Sequence, residues 1–556
     1  MVRNYMIPIL LSYLFIIYIS LGLGVLLSKW INLRDYNLLF IILIGFFIHL
    51  LATTLYAVFS PLDAIYFILN MTVATIVFYL KWDVVKTILT NAFKTWNSFQ
   101  VSSKALFLLI IAATLIHSSS IPFLADNESY YIQTIKWLNN YGLVKGVANL
   151  HPFLGQFSGW HLLQASFNFN FITPNLNDLN GLLIILVCFF CLERWEAFQV
   201  QKNDNDLYIS LITTFLAIPF FVIASPSPDL PILILTPIII YLFLESLRNN
   251  DLKHLNLISI LIVFLVLIKV TIAPIVILLI FLLFKIKDPT KLIFPVLISG
   301  IAVGSFILKN LIISGYPLYP LLWGGEYFNL DWKQNINLRA LFFWEGRGDI
   351  NLYEKFKLWI NEPNLKGFIN KVIVLTLLAF PIFYLRNRKI LLLYCFFIVQ
   401  FLVLFLTSPQ YRFFIPILLS IYLLMLTSWV RKRHYLIYSL NFLNVGLILL
   451  VGFLGINLFS LTQNKIMSKK DPFYFSQVLV PRSISQFEDL KFEVNRVQNL
   501  EYSSPQEAMF IWQTSDGPLP CVNKKLIEYY SEQMNHISQL RRENLKDGFY
   551  SYSKSE

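Results

Sequence analysis

Two acidic side chains, Asp126 and Glu128, have the residue types and the position best suited to chemistry in this sequence. They follow an apolar run and precede a helical pattern in which Tyr131, Ile135 and Leu138 recur every three to four residues. The pattern predicts an amphipathic helix on a membrane surface, with both acids at its start. A carboxylate there can act as a general base on a hydroxyl group, or bind a divalent metal ion. Helix capping is the alternative interpretation, because acids at a helix start bind its free amides and stabilise its dipole.

The two acids are expected to differ in role, because residues two positions apart on a helix point about 200° apart. We therefore predict that Asp126 is the catalytic base and that Glu128 is a supporting catalytic residue or a metal ligand. Asp229 is a third carboxylate that could contribute to the same metal site. The sequence does not identify the metal ion or show that one is required.

Arg412 is the cation best placed to bind a phosphate. Together with Gln410, it lies in a short connection between two apolar runs. Its planar guanidinium group can hold a phosphate through two parallel hydrogen bonds, and Gln410 could add a polar contact to the same substrate. The alternative is an ordinary interfacial arginine whose side chain extends to the membrane surface.

Two further charged residues lie next to or within apolar runs. Asp229 follows a proline-rich turn and begins one run, so that the turn would hold its carboxylate rigidly. Lys269 divides the long run Leu255–Phe284 in two. A charge near membrane depth is costly and usually faces a cavity or a partner. We predict that both residues bind substrate, with helix capping and extension to the membrane surface as their respective alternatives.

A loop after the acidic motif carries three more candidate binding residues, His151, Trp160 and His161. A histidine can act as a base, a metal ligand or a phosphate partner, and the indole ring could stack on a sugar or a prenyl group. The alternative is that these residues anchor the loop at the membrane interface, where aromatic side chains concentrate.

The elements that must position these residues are membrane-spanning helices. Hydrophobic residues make up 57% of the chain and charged residues only 14%, whereas soluble domains average about 45–50% and about 25%. A helix needs roughly 20 mostly apolar residues to cross a bilayer. The sequence therefore predicts an all-α polytopic membrane protein with about 14 spans. These are Ile7–Leu27, Leu38–Phe59, Ala64–Leu80, Ala105–Leu124, Pro174–Leu192, Leu207–Ala224, Leu230–Leu244, Leu255–Ile268, Val270–Phe284, Leu292–Leu308, Val372–Leu385, Ile390–Leu406, Phe413–Val430 and Tyr435–Leu461.

Lysine and arginine are concentrated in every second connection between these runs, and such connections face the cytoplasm. We attribute the net charge of +12 to these loops and not to nucleic-acid binding. The outer side then carries the loops Ala125–Thr173 and Tyr316–Asn370, together with both chain termini. We predict a transmembrane domain over residues 1–461 and a small extracytoplasmic domain over residues 462–556, whose longest helix is Val522–Leu540.

Three motifs together resemble the GT-C superfamily of membrane glycosyltransferases. They are the acidic motif Asp126–Tyr131 in an outer loop, the span end Asn310–Pro320 and the outer connection Ser408–Phe413. More narrowly, the chain resembles a group of bacterial multispan membrane proteins in which segments like Ser227–Pro231 and Pro518–Cys521 also recur. In typical GT-C members the acidic loop follows the first span, whereas here it follows about the fourth predicted span.

The resemblance implies transfer of a sugar from a polyprenyl-phosphate-linked donor to an envelope glycan, lipid or protein acceptor. The reaction would occur on the extracytoplasmic face of a bacterial cytoplasmic membrane. Asp126 or Glu128 would correspond to the catalytic acid of the outer loop, and Arg412 would lie near the lipid phosphate. Two other functions are expected alternatives: a transporter or flippase of lipid-linked sugars, and a non-catalytic protein of envelope assembly. A glycan ligase or polymerase would be a close variant of the leading hypothesis.

Overall fold

The computed structural model of the chain describes residues 6–31, 37–167, 169, 179–249, 252–336, 338, 351–384, 388–433, 435–455, 472–474, 477 and 483–552. Within these ranges the chain is mostly helical. The α-helices, numbered in chain order, are α1 (Met6–Val25), α2 (Leu38–Ala57), α3 (Ala64–Leu80), α4 (Trp82–Ser98), α5 (Val101–Ser118), α6 (Ile132–Tyr141), α7 (Gly159–Ser166), α8 (Leu179–Gln201), α9 (Asp204–Ser210), α10 (Ala217–Phe220), α11 (Asp229–Asn249), α12 (Leu255–Ile268), α13 (Val276–Leu283), α14 (Ile293–Ser314), α15 (Leu352–Ile360), α16 (Asn364–Tyr384), α17 (Arg388–Thr407), α18 (Tyr411–Val430), α19 (Leu436–Leu454) and α20 (Lys524–Gln533).

Shorter elements connect these helices. A π-helix covers Asn127–Tyr131 and leads directly into α6. The 3-10 helices are Leu26–Lys29, Val147–Asn149, Pro152–Gln156, Leu211–Phe215, Val270–Ile275, Pro289–Leu292, Gly325–Tyr327 and Leu545–Asp547. The strands are β1 (Phe492–Val497), β2 (Leu500–Pro505), β3 (Ile537–Leu540) and β4 (Phe549–Tyr552).

Eight helices in the described ranges are long and apolar enough to cross a membrane. They are α2, α5, α11, α14 with the 3-10 turn before it, α16, α17 from Ile390, α18 and α19. Helices α3 and α4 meet at an angle of 93° and add a ninth span if they count as one. Helix α1 from Ile9, α12 and Val270–Leu283 are apolar but shorter. The protein is a mostly helical, multi-pass membrane protein, and the expected number of about 14 spans is not confirmed.

The predicted span Leu207–Ala224 is wrong as a continuous helix. The chain there forms the short helices α9 and α10, joined by the 3-10 helix Leu211–Phe215 and followed by turns. Pro219 lies within α10 and cannot donate an amide hydrogen to the carbonyl of Phe215, the last residue of the 3-10 helix. Nothing in the sequence marks the earlier end of α9 at Ser210. The segment Leu207–Ala224 was predicted to be a span from its hydrophobicity alone.

The predicted break in the apolar run at Lys269 is confirmed. Helix α12 ends at Ile268, and Lys269 has an extended backbone with φ −153° and ψ 112°. The chain then resumes as the 3-10 helix Val270–Ile275 before α13. A lysine therefore lies at the gap between two apolar helical pieces.

Helix α11 lies at the centre of the bundle. In its apolar window, 94% of the residues are buried, a larger share than in any other candidate span in the described ranges. It packs against α9, α12 and α18. Asp229, the first residue of this helix, is therefore placed at one end of the protein interior.

The described parts of the predicted outer loops and of the C-terminal segment contact one another. Gly146 N donates a hydrogen bond to Ile312 O at 2.8 Å, and Phe549 N donates to Lys145 O at 2.9 Å. Gln334 Nε2 donates to Ala148 O at 2.6 Å. These bonds join the loop after α5, the end of α14 with the segment that follows it, and the C-terminal part of the chain.

The C-terminal part, residues 483–552, forms two antiparallel hairpins and one helix. Strand β1 pairs with β2, and β3 pairs with β4. The predicted helix Val522–Leu540 is wrong in its second half, because α20 ends at Gln533 and residues 537–540 form β3. Asn535 explains the change, since its φ of +48° belongs to the left-handed region and stops a right-handed helix. The all-α expectation therefore applies to the membrane part alone.

Candidate functional site

Four charged side chains from separate segments meet at one end of the bundle: Asp126, Asp229, Lys269 and Arg412. Arg412 Nη1 lies 2.6 Å from Asp126 Oδ2, and Arg412 Nε lies 3.8 Å from Asp229 Oδ2. Lys269 Nζ donates a hydrogen bond to Asp229 Oδ1 within an ion pair. We call these four residues the charged cluster. Each was predicted separately to be a site residue, and the fold brings them together.

The charged cluster is partly open to solvent. The exposed fraction of the side chain is 23% for Asp126, 21% for Asp229, 19% for Lys269 and 33% for Arg412. Two carboxylates balance two cations, and this pairing offsets part of the free energy lost when charges leave water. A polar ligand that enters the opening can therefore compete for an existing ion pair.

Aromatic and amide groups orient the two cations. The Lys269 ammonium lies 3.5 Å from the ring centroid of Phe413, and the Arg412 guanidinium carbon lies 5.0 Å from the same centroid. Such cation–π contacts contribute roughly 0.5–2 kcal/mol each. Gln410 Oε1 accepts a hydrogen bond from Arg412 Nε at 3.0 Å. Gln410 therefore contacts the predicted phosphate-binding arginine directly.

Asp126 immediately precedes the π-helix Asn127–Tyr131, and its side chain makes no capping hydrogen bond to the backbone. Its carboxylate faces Arg412 instead, and Tyr131 Oη donates to Asp126 Oδ2 at 3.4 Å. The geometry therefore does not favour the capping interpretation at this residue. Single π-helical turns are rare in proteins overall. Many of those that do occur lie at functional sites.

Glu128 points away from the charged cluster and toward residues 483–552, which we call the C-terminal domain. Its side chain is fully buried and accepts hydrogen bonds from Ser485 Oγ at 2.7 Å and from Gln486 N at 3.1 Å. Its carbonyl oxygen accepts from Thr514 N at 2.9 Å and from Ser515 N at 2.8 Å. Burial raises the pKa of the Glu128 carboxyl group, although these donors act in the opposite direction. The two acids of the motif thus face different surroundings.

Buried polar side chains fix the turn that precedes Asp229. Trp160 is fully buried, and its indole N–H donates to Asn180 Oδ1 at 2.8 Å. Asn180 Nδ2 in turn donates to the carbonyls of Ser225 at 2.7 Å and Ser227 at 3.3 Å. Trp160 was predicted to bind substrate, but in this structure it contacts protein groups and supports the turn that positions Asp229.

Two neighbouring segments hold the chain around Lys269. Ser158 Oγ donates to the carbonyl of Ile268 at 2.6 Å, which helps to satisfy the end of α12. Gln400 Nε2, from α17, donates to Thr271 O at 2.7 Å on the other side of the break. The interruption that exposes Lys269 to Asp229 is therefore stabilised by polar contacts from both sides.

His161 lies beside the charged cluster, between two tyrosines. Its ring centroid is 6.1 Å from that of Tyr130 and 4.7 Å from that of Tyr131. Burial, reinforced by the nearby Lys309, lowers the pKa of His161 to about 3, so the ring is neutral at pH 7. Burial also raises the pKa of both tyrosines, and Asp126 adds to this effect.

His151 lies farther along the loop, at the contact with the C-terminal domain. It is fully buried, and its Nδ1 accepts a hydrogen bond from Phe153 N at 3.3 Å. Its ring centroid lies 5.8 Å from that of Trp512. Burial lowers the pKa of His151 to about 3. This predicted binding residue therefore packs at an interface within the protein.

Three residues near the charged cluster were missed from the sequence: Tyr131, Phe413 and Asn180. Tyr131 and Phe413 stand inside the motifs that contain Asp126 and Arg412, so motif membership was an available signal. Asn180 begins a helix that looked like an ordinary apolar span, and its role depends on a buried network that joins distant segments. No local sequence pattern indicates such a network.

The described residues do not fit a metal site. No group of three or more His, Cys, Asp or Glu side chains in the described ranges is placed to hold a metal ion. Of the three carboxylates proposed as metal ligands, two share one cation as their partner and the third points elsewhere. Asp126 and Asp229 both contact Arg412, whereas Glu128 is directed to Ser485.

Comparison with known proteins gives a family but no activity. No curated protein and no solved structure matches the chain significantly. The family model described as "Domain of unknown function (DUF8201)" matches residues 6–419, which is most of the chain and includes the whole charged cluster. The chain therefore belongs to the DUF8201 family.

Proposed function

We propose that the protein is a membrane glycosyltransferase of the GT-C type. It would transfer a sugar from a polyprenyl-phosphate-linked donor to an envelope glycan, lipid or protein acceptor. The observation that carries this proposal is the placement of Arg412 between Asp126 and Asp229 at a partly open end of the helical bundle. A cation that can bind phosphate and a carboxylate that can accept a proton are thus in direct contact.

The charged cluster has the groups that such a transfer requires. Asp126 accepts the proton of the acceptor hydroxyl group. At the same time, the oxygen of that hydroxyl group forms a bond to the anomeric carbon of the sugar. The bond from that carbon to the phosphate oxygen breaks, and the electron pair leaves with the lipid phosphate. Arg412 and Lys269 stabilise the negative charge of this leaving group. The products are the glycosylated acceptor, the lipid phosphate and a protonated Asp126.

The ion pairs suggest how a donor would activate the base. In this structure, Asp126 is paired with Arg412. A phosphate that binds the guanidinium fork through two hydrogen bonds would replace the carboxylate as its partner. Asp126 would then be released as a base only when the donor is bound. The loop after α5 and the C-terminal part of the chain, which lie at this end of the bundle, would keep water from competing with the acceptor.

The location of the charged cluster supports an extracytoplasmic site. The cluster lies at the end of the bundle that carries the long loops and the C-terminal domain. The other end carries contacts between basic and acidic connections, such as Arg431 Nη1 with Asp204 Oδ2 at 2.9 Å. Basic connections are retained on the cytoplasmic side. We therefore propose that the site faces the extracytoplasmic side of the cytoplasmic membrane.

Lipid-phosphate binding tests this proposal. The affinity for undecaprenyl phosphate would be measured with full-length protein in nanodiscs, with empty nanodiscs as the baseline. Arg412→Ala should weaken binding by about 10-fold to 100-fold, because one charge-assisted interaction contributes roughly 1.5–3 kcal/mol. Arg431→Ala is the matched control, since Arg431 follows the other end of the same helix and forms an ion pair with Asp204. Equal affinities of the wild type and Arg412→Ala would reject the proposed role.

A transporter of lipid-linked sugars is the second candidate function. The helix break at Lys269 favours it, because transporters often bind substrates at broken helices with charged residues. Proteoliposomes containing a fluorescent lipid-linked sugar separate the two functions. Translocation of an intact lipid between leaflets supports transport, whereas release of the lipid phosphate with transfer of the sugar supports the glycosyltransferase.

A further inference from the structure

Lys309 is a buried cation for which the proposed reaction has no role. It lies on α14, less than two turns before the helix ends at Ser314, and only 6% of the residue is exposed. Its ammonium donates a hydrogen bond to the carbonyl of Phe157 at 2.6 Å. No carboxylate in the described part of the chain forms an ion pair with it. A buried ammonium without a counterion is strongly unfavourable, so its presence in a membrane helix suggests a partner that arrives with a ligand.

His161 is a second polar group without an assigned function in the same region. Only 1% of the residue is exposed, and neither ring nitrogen has good hydrogen-bond geometry to a described residue, although the carbonyl of Pro226 lies near the ring. Lys309 is close enough to His161 to act on its titration, as are Asp229 and Lys269. A neutral imidazole still has one N–H group, which can donate to an anionic oxygen.

A short loop connects these two residues to the charged cluster. The carbonyl of Phe157 binds Lys309, and the next residue, Ser158, donates its hydroxyl to the carbonyl that precedes Lys269. His161 follows three residues later, on the first turn of α7. Lys309 and the residue before Lys269 are therefore held by adjacent residues of one loop.

The charges indicate what kind of ligand would complete the site. The charged cluster is balanced, with two carboxylates and two cations. Lys309 adds a third amine, which has no acidic partner in the described ranges and which a bound anion would hold in its protonated form. We propose that Lys309 and His161 form a second anion subsite, which binds the second phosphate of a diphosphate-linked lipid donor. This inference rests on the proposed function, and it specifies the donor as a diphosphate where the function alone requires only a phosphate.

Two short lipids test this assignment. Farnesyl phosphate and farnesyl diphosphate have the same tail and differ by one phosphate. Binding of each to the full-length protein in nanodiscs would be measured against empty nanodiscs. We expect the wild type to prefer the diphosphate by about tenfold, which corresponds to one additional charge-assisted contact. Lys309→Met, which has a slightly shorter, unbranched and uncharged side chain, should abolish this preference and leave the affinity for farnesyl phosphate within about twofold.

Two further variants control for charge and for folding. Lys309→Arg retains the cation and should keep most of the preference. Lys333→Met is the matched control, because Lys333 also donates to backbone carbonyls of an outer segment, those of Gly325 and Phe328. It should keep the full preference. A Lys309→Arg protein that binds like the wild type also shows that substitution at this position permits folding.

The outcomes separate the two proposals. If farnesyl phosphate binds but the wild type shows no preference, or if Lys309→Met keeps the preference, the second subsite is wrong and the proposed function stands. If neither farnesyl lipid binds the wild type, the lipid-phosphate function is wrong, and the diphosphate subsite is rejected with it.

Discussion

The surroundings of Asp126 distinguish most clearly between a catalytic role and a helix-capping role. A cap would direct its oxygens to backbone amides, but the carboxylate contacts Arg412 and Tyr131 instead. The sequence was sufficient to predict that the side chains of Asp126 and Glu128 point in different directions, because residues two positions apart on a helix lie on different faces. It could not reveal the partner of Glu128, because Ser485 lies 357 residues away in sequence and only the folded chain brings them together.

The conservative variant Asp126→Asn tests the base directly. An amide keeps the size of the side chain but cannot accept the proton, so turnover should fall by about 100-fold to 10,000-fold. Binding of lipid phosphate should be retained, because Arg412 and Lys269 remain. Turnover would be measured as release of the lipid phosphate from a sugar-linked donor. Wild-type turnover by a folded Asp126→Asn protein would contradict the assignment of the base.

At the scale of elements, interrupted helices build the site. The π-helix after Asp126, the break at Lys269 and the turn before Asp229 each place one charged residue at the end of a helical piece. The break at Lys269 was predictable because a charge divided an otherwise apolar run. The irregular path of residues 207–224 was not, because an apolar segment buried among other helices has the same composition as a span.

The contact between the π-helix and the C-terminal domain depends on Glu128. Its carboxylate accepts three hydrogen bonds, from Ser485 Oγ, Gln486 N and Asn127 Nδ2. In Glu128→Gln an amide nitrogen must replace one acceptor oxygen and will face a donor. We expect docking of the C-terminal domain to weaken by about 1–3 kcal/mol. Limited proteolysis should then cleave residues 483–552 faster than in the wild type.

A matched substitution in the C-terminal domain itself controls for a general effect of removing an acidic side chain. Glu501 lies on the exposed side of strand β2, so Glu501→Gln should leave proteolysis unchanged. Faster cleavage in Glu501→Gln, or unchanged cleavage in Glu128→Gln, would show that Glu128 does not hold the two parts together.

At the scale of the whole molecule, the loop after α5, the segment after α14 and the C-terminal domain assemble on one face. The sequence predicted that they share a side, because basic connections alternate with others along the chain. Their hydrogen bonds place them together in the structure. The side of the membrane on which they lie is a separate prediction, which rests on the basic loops.

Cysteine labelling tests that orientation. Single cysteines at Glu326 and Asp516, both exposed, should react with a membrane-impermeant maleimide in intact cells, in a background without the native cysteines. A cysteine at the exposed Asp288, in a basic connection, should react only after the membrane is permeabilised. The opposite pattern would place the charged cluster on the cytoplasmic side and exclude an extracytoplasmic transfer reaction.

A structure of the full-length protein in a nanodisc with undecaprenyl phosphate tests the central claim most directly. The account predicts density for the phosphate against the Arg412 guanidinium group. It also predicts that the Asp126 carboxylate no longer lies at the 2.6 Å distance from Arg412 described here. A lipid phosphate bound elsewhere, with the Asp126–Arg412 ion pair intact, would contradict the assignment of the charged cluster as the donor site.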